Sequence, residues 1–230
     1  MSYIEDIRIY DRKEDKFRSV LTNCVSHMFK RILKSKLRTP NVFIFSIYLT
    51  DDESKHLSYY HYGGFLTIDY FFDPDVYQQS KDVFERKKMI LDMIRNALLH
   101  VASCENWGTD IILDTYNTCL ASEIKNEWWF KGKPIASPDR RHYIGMYTVY
   151  DFSRFEYWLV LFDKAKTELI RHLVYKDRAE IFVISHLSWQ DREHIVYKFG
   201  GPQKLFIYSI DDLLQSRVAE IPEKIHLMFK

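Results

Sequence analysis

The sequence predicts an α+β fold: N-terminal helices with a short β-hairpin, followed by a C-terminal antiparallel meander sheet. Two long stretches of three-and-four apolar spacing lie in the first half. Short β-rich runs separated by turn-like breaks fill the second half. Gly and Pro together number only 13 of 230 residues, about half of average usage, which suits long elements and few loops.

Residues 3–10 alternate weakly, with Ile7 and Ile9 in step, and predict a short strand. Residues 11–37 then switch period: Phe17, Val20, Leu21, Cys24, Val25, Met28, Phe29, Ile32 and Leu33 recur at helical spacing. Acidic residues at the start of this stretch and Lys30–Arg38 at its end complement a helix dipole, and Pro40 stops it. Residues 42–49 (VFIFSIYL) and 65–72 read as two strands that form a hairpin, with 50–62 as a polar loop. Residues 75–107 carry the strongest helical stripe, from Val83 through Met93, Ala97 and Val101, closed by Gly108 as a left-handed cap. Thr109 is then placed as the N-cap of a helix reaching to about residue 126, packed antiparallel on its predecessor.

Residues 132–142 (GKPIASPDRRH) are the linker between a helical α+β half, 1–131, and an antiparallel β half, 143–230, the two expected to share one core. Strands are predicted at 143–150, 155–162, 167–175, 180–188, 194–199 and 205–210, followed by a short helix over 211–218. The run 155–162 (FEYWLVLF) is almost continuously apolar and is expected to be a central strand.

Composition excludes several classes. There is no G-x-G-x-x-G, G-x-x-x-x-G-K-[ST] or G-x-S-x-G, and the net charge of +1 offers no general field for nucleic acid. The charged segment 1–16 lacks an apolar signal region, and no apolar run approaches membrane-spanning length. Cys24, Cys104 and Cys119 are odd in number and far apart. The expectation is a reduced, cytoplasmic protein without disulfides, cofactor, metal or membrane partner.

The residues that invite chemistry each have a structural reading. Asp75, Glu85 and Lys87 have the form of a Mg²⁺ nuclease triad, in which two carboxylates hold the metal and the lysine steers water. On a helix start, however, Glu85 and Lys87 point apart. His56 and His61 lack a third metal ligand nearby, and His100 with Cys104 lacks an orienting group. The basic runs Lys30–Arg38 and Arg140-Arg141-His142 leave a nucleic-acid-binding regulator as a further alternative. The acidic residues Asp51, Asp52, Glu53 and Asp73, the loop tyrosines Tyr59 and Tyr60, and Trp189 with Asp191 at a turn together suggest a protein-binding surface that meets a basic partner.

Three stretches carry a resemblance: Lys87-Lys88-Met89-Ile90-Leu91 with Leu98-Leu99-His100 and Trp107; Asn126-Glu127-Trp128 leading to Ser137-Pro138-Asp139-Arg140; and Asp151-Phe152 with the run from Phe155 to Lys164. In organisation, over most of its length, the chain resembles the small α+β immunity proteins that bacteria encode beside polymorphic or contact-delivered toxins. That resemblance implies a cytoplasmic, non-enzymatic protein that binds one cognate toxin and blocks it. It implies no particular contact residues.

Overall fold

The computed structural model describes residues 2–11, 20–177, 184–199 and 205–215, and of residues 20–22 the backbone alone. The chain divides into two compact units, 1–126 and 127–230. The division falls at the start of the strand that follows the helices. The segment 132–142, expected as a linker, lies inside the second unit, where part of it is a paired strand.

The first unit opens with β1 (Ser2–Tyr3) and β2 (Asp6–Asp11). Helix α1 (Val20–Leu33) buries Cys24, Val25, Met28, Phe29 and Leu33. The predicted residues 12–19 of this helix lie outside the described residues. The helix stops at Leu33, well before Pro40, and β3 (Arg38–Thr39) pairs with β1. Strand β4 (Ile44–Thr50) follows, then a 3-10 turn at Glu53–Lys55, β5 (Tyr59–Tyr62) and β6 (Phe65–Phe71).

The order in this sheet is β2-β4-β6-β5, with β2, β4 and β6 parallel and β5 antiparallel to β6. Two expectations are corrected here. The runs around 42–49 and 65–72 are not a hairpin but parallel neighbours, and Tyr59–Tyr62 is a strand rather than loop. The hairpin is formed by β5 and β6 across Gly63-Gly64. Gly63 takes the left-handed conformation (φ 58°) that such two-residue turns require. Gly64 has no Cβ to collide with the Phe43 ring lying against it.

The single long helix expected over 75–107 is two. Asp73 caps α2 (Pro74–Gln79) by accepting from the Asp75 and Val76 amides. Asp82 caps α3 (Val83–Glu105) by accepting from Phe84. A second cap inside the apolar pattern breaks the helix because its side chain competes for the amides that the helix leaves unpaired. At the far end Asn106, not Gly108, is the left-handed cap (φ 56°), and Gly108 is the N-cap of α4 (Thr109–Ala121) in extended geometry. Helices α1 and α3 pack on strands β2 and β6, and both touch α4. Cross-strand rows place Ile7, Phe45 and Leu66 on the helix side, with Ile9, Ile47 and Ile68 beside them. Each is at most 4% exposed, so this face is the core of the unit.

The second unit is built from strands on strands. It begins with β7 (Asn126–Trp129), a 3-10 turn at Phe130–Gly132 and β8 (Ile135–Ala136). Then come β9 (Tyr143–Tyr150), β10 (Phe155–Phe162) and β11 (Glu168–Asp177), an antiparallel meander in which β9 also carries β7 and β8. Strand β10 lies between β9 and β11, as its apolar run predicts. Strands β12 (Ile184–Trp189), β13 (His194–Phe199) and β14 (Leu205–Ser209) form a separate antiparallel sheet, where a single sheet of five or six strands was expected, and α5 (Ile210–Gln215) closes it. The expected strand residues 180–183 and helix residues 216–218 lie outside the described residues.

Rings join the two sheets: Phe199 of β13 lies 5.8 Å from Tyr157 and 5.5 Å from Tyr175 between centroids. Within the smaller sheet Tyr197 stacks on its neighbour Phe206 at 5.0 Å. Burial raises the Tyr197 phenol far above its usual range, so it stays neutral. One buried carboxylate lies on the opposite face of β10, since strand alternation turns it away from Phe155 and Tyr157. Glu156 of β10 accepts from the Trp158 indole (3.1 Å) and faces Lys176 (3.5 Å). Among the described residues no helix is long and apolar enough to cross a membrane. Cys24 and Cys119 are buried free thiols, acting as small apolar groups, and Cys104 is an exposed one.

Candidate functional site

In the first unit the helices leave one face of the sheet to other uses. Side chains in register on that face form the rows Arg8–Ser46–Thr67–Tyr60 and Asp6–Ile44–Phe65–Tyr62. In the next row Tyr10 stacks on Tyr48 at 4.9 Å. Strand β5 is the edge of the sheet, and no other described strand pairs with its outer side. Its residues alternate. Tyr59 and His61 turn to the helix side, whereas Tyr60 and Tyr62 turn away and are 53% and 79% exposed. Phe43 and Phe65, 5.7 Å apart, are also exposed at the hairpin end. An edge strand with outward rings is where a second chain adds most readily, since backbone pairing and ring burial act together.

The acidic residues occupy the opposite end of the sheet. Because Thr50 and Phe71 are in register, residues 51–53 and 73–75 leave the carboxyl ends of neighbouring parallel strands. That end lies roughly 20 Å from the hairpin along β6, at about 3.3 Å per residue. Folding accounts for part of this cluster. Asp52 accepts from the Ser54 amide and hydroxyl, which hold its carboxyl below the usual range. Asp73 is the α2 cap described above. Asp51, Glu53, Asp73 and Asp75 are exposed.

Other predicted residues also have structural duties. The Tyr59 hydroxyl donates to Glu105 (3.1 Å), and desolvation with that carboxylate pushes the phenol up to about 12. Glu105 in turn is held below the usual carboxylate range by His61 (3.0 Å), with Tyr59 adding to the effect. The Trp189 indole, in the second unit, donates to the Ile135 carbonyl (3.0 Å) and pins β8. Asp191 accepts from the amides of Glu193 and His194 and so shapes the β12–β13 turn. Tyr60 is 53% exposed, and among the described residues it has no ring, hydrogen-bond or ion-pair partner. Tyr62, more exposed still, was legible only as an aromatic near a loop, because its outward side follows from the register of β5 on β6.

The nuclease triad does not assemble. Lys87 is buried, with its ammonium donating to the Ile124 carbonyl (3.5 Å), while Asp75 and Glu85 are exposed on different helices. Among the described residues no three His, Cys, Asp or Glu side chains converge as metal ligands. His56 accepts the Phe71 amide at Nδ1, which occupies it away from His61. The His100 ring packs edge-on to Tyr59. Of the basic runs, Lys30 pairs with Asp6 (2.8 Å) and Arg31 donates to Asn126 (3.3 Å). Both are tied to partners within the unit.

The fold so defined is a mixed α+β one. Among family models, curated proteins and solved structures, none matches the chain.

Proposed function

We propose that this chain is a non-enzymatic protein-binding module that acts in the cytoplasm and neutralises a cognate toxin by binding it, in the manner of an immunity protein. One observation carries the binding reading: the edge strand β5 presents Tyr60 and Tyr62 outward, the kind of residue that anchors interfaces. The exposed Phe43 and Phe65 extend this anchor. The acidic rim about 20 Å away lies within one interface of standard size, about 800 Å² per partner, and favours a basic surface opposite it. The absence of an assembled nuclease triad among the described residues leaves catalysis without support from geometry.

The test is growth rescue. The chain is co-expressed with the large gene product encoded directly upstream of it. Rescue, and co-purification of a stable complex, are expected. The double variant Tyr60→Ala/Tyr62→Ala is expected to keep its fold by circular dichroism and to weaken binding by on the order of 100-fold. If the unaltered chain gives no rescue and forms no complex, the proposal is overturned. Full affinity in the double variant would overturn the assignment to β5.

A further inference from the structure

A second feature lies entirely within the 127–230 unit and plays no part in the surface proposed above. Between the Phe130–Gly132 turn, β8 and the β10–β11 turn is a cleft of about 550 Å³. That is within the size range of small-ligand pockets. Its apolar part includes Ile135 and the half-buried rings of Tyr143 and Phe162. Lys131, Lys133 and Lys166 stand around it, all exposed. Among the described residues no acidic side chain lines the cleft, and none of the three lysines has an ion pair. The carboxylate in the neighbouring turn, Asp163, accepts from the Thr167 amide (2.8 Å) and forms no ion pair among the described residues.

Three exposed positive charges around one cleft repel one another, and an anion placed among them removes that cost. They are not complementing a helix dipole, since no α-helix ends here. The floor is also specific in kind. The Lys166 ammonium lies 5.9 Å from the centre of the Tyr143 ring. An anionic group held on Lys166 therefore sits beside an aromatic face.

The floor is rigid. Trp129 packs on Phe162 (5.7 Å) and on Tyr147 (4.8 Å) from behind. Gly145 of β9 leaves the space that Trp129 fills, because a Cβ there would come within 2.7 Å of that ring. Trp189 fixes the carbonyl of Ile135 on the opposite wall. Rings that stack a flat group, beside lysines that meet a phosphate as point charges, are the two halves of nucleotide recognition.

We infer that this cleft binds a mononucleotide, with its base against Tyr143 and Phe162 and its phosphate among Lys131, Lys133 and Lys166. The site needs no catalytic step and would make the second unit a ligand-responsive element.

The test is calorimetric titration of the full chain with AMP, GMP, CMP and UMP, and with inorganic phosphate and adenosine as the separate halves. At least one mononucleotide is expected to bind tenfold or more tightly than either half alone. Lys133→Ala and Lys166→Ala lie on exposed positions and should leave the circular dichroism spectrum intact, yet each should weaken binding about tenfold. Raising salt from 50 to 200 mM should weaken it as well.

Four outcomes would overturn the inference. One is no heat from any mononucleotide at millimolar concentration. Another is phosphate binding as tightly as the best mononucleotide, which would leave the rings without a role. The third is unchanged affinity in both lysine variants. Binding of a ten-residue oligonucleotide a hundredfold more tightly than any mononucleotide would also overturn it, in favour of a nucleic-acid strand.

Discussion

In the 1–126 unit helices cover one face of a sheet whose neighbouring strands β2, β4 and β6 run parallel. In the 127–230 unit strands cover strands, and rings fill the space between them. The difference shows in how each unit uses its aromatic residues. The core rows of the first sheet are Ile, Leu and a single Phe, while most of its tyrosines stand on the opposite face or at the edge. In the second unit Phe155 has Tyr150, Tyr157 and Tyr175 around it within 6.2 Å. A helix stripe interdigitates well with branched aliphatics. Two sheets about 10 Å apart need long side chains to meet. The first unit thereby has rings to spare for its surface, and the second spends them inside.

The largest effect expected from this contrast is in the cores. Phe155→Ala should cost about 4 kcal/mol, because the ring takes its edge-to-face partners with it, and Ile47→Ala about 3 kcal/mol. Chemical denaturation of both variants measures the difference. Equal losses would show that the rings of the second unit act as bulk alone.

Next in size is an acid response in the first unit. His27 of α1 is held at about 4, against an ordinary 6.5, by burial and by Lys30 and Arg31 beside it. The fold prefers the neutral imidazole, so its contribution is complete above pH 6.5. It is lost as pH falls toward 4, where the unfolded chain takes up a proton that the folded one resists. At about 1.4 kcal/mol per pH unit the loss reaches roughly 3 kcal/mol. His27→Gln should flatten the acid limb of a stability–pH curve. His172 in the second unit is also lowered by burial, but no cations add to the effect as Lys30 and Arg31 do at His27, so His172→Gln should flatten the limb less.

Smaller effects come from two glycines that each make room for a ring. Gly145→Ala should cost about 2 kcal/mol, since Trp129 is wedged between Tyr147 and Phe162. Gly64→Ala sets a Cβ only 1.7 Å from Phe43, yet should cost about 1 kcal/mol, because that ring is 38% exposed and can swing away. Thermal unfolding should rank them in that order, and the reverse would show that Phe43 is firmly held. The smallest effect is at a helix start: Asp82→Ala should cost about 1 kcal/mol and let α3 fray from its first turn, seen as loss of helical signal.

Strands β9, β10 and β13 were legible to the residue, and β11, β12 and β14 to within a few residues where they are described. Their turns are short, as at Asp151–Arg154, so each strand's period and partner lie close by in the chain. In the first sheet β2, β4 and β6 were legible as strands, but their pairing was not. Residues 42–49 and 65–72 carry the same apolar signature whether they pair parallel or antiparallel. The choice rests on β5, whose YYHY run has no apolar alternation to announce it. The helix break at Asp82 was written in the sequence as a cap residue, but the stripe on either side outweighed it. For the candidate site, Tyr60 and the acids at the strand ends could be named from residue type and position. The inward turn of Tyr59 toward Glu105 and the outward turn of Tyr62 could not, because a one-residue change of register exchanges the two faces of a strand. The lysine cleft could not be foreseen at all, since Lys131 and Lys166 are 35 positions apart in the chain.

The sequence by itself determined the α+β class, the two long helical stripes, the central place of β10 and the absence of phosphate-binding glycine loops. These depend on local period and composition, which neighbours in the chain express directly. Tertiary structure alone decided the parallel pairing of β4 and β6, the division of the C-terminal strands into two sheets, and which rings face outward. Those depend on register between distant segments, and no local pattern encodes which of two faces a distant partner will cover.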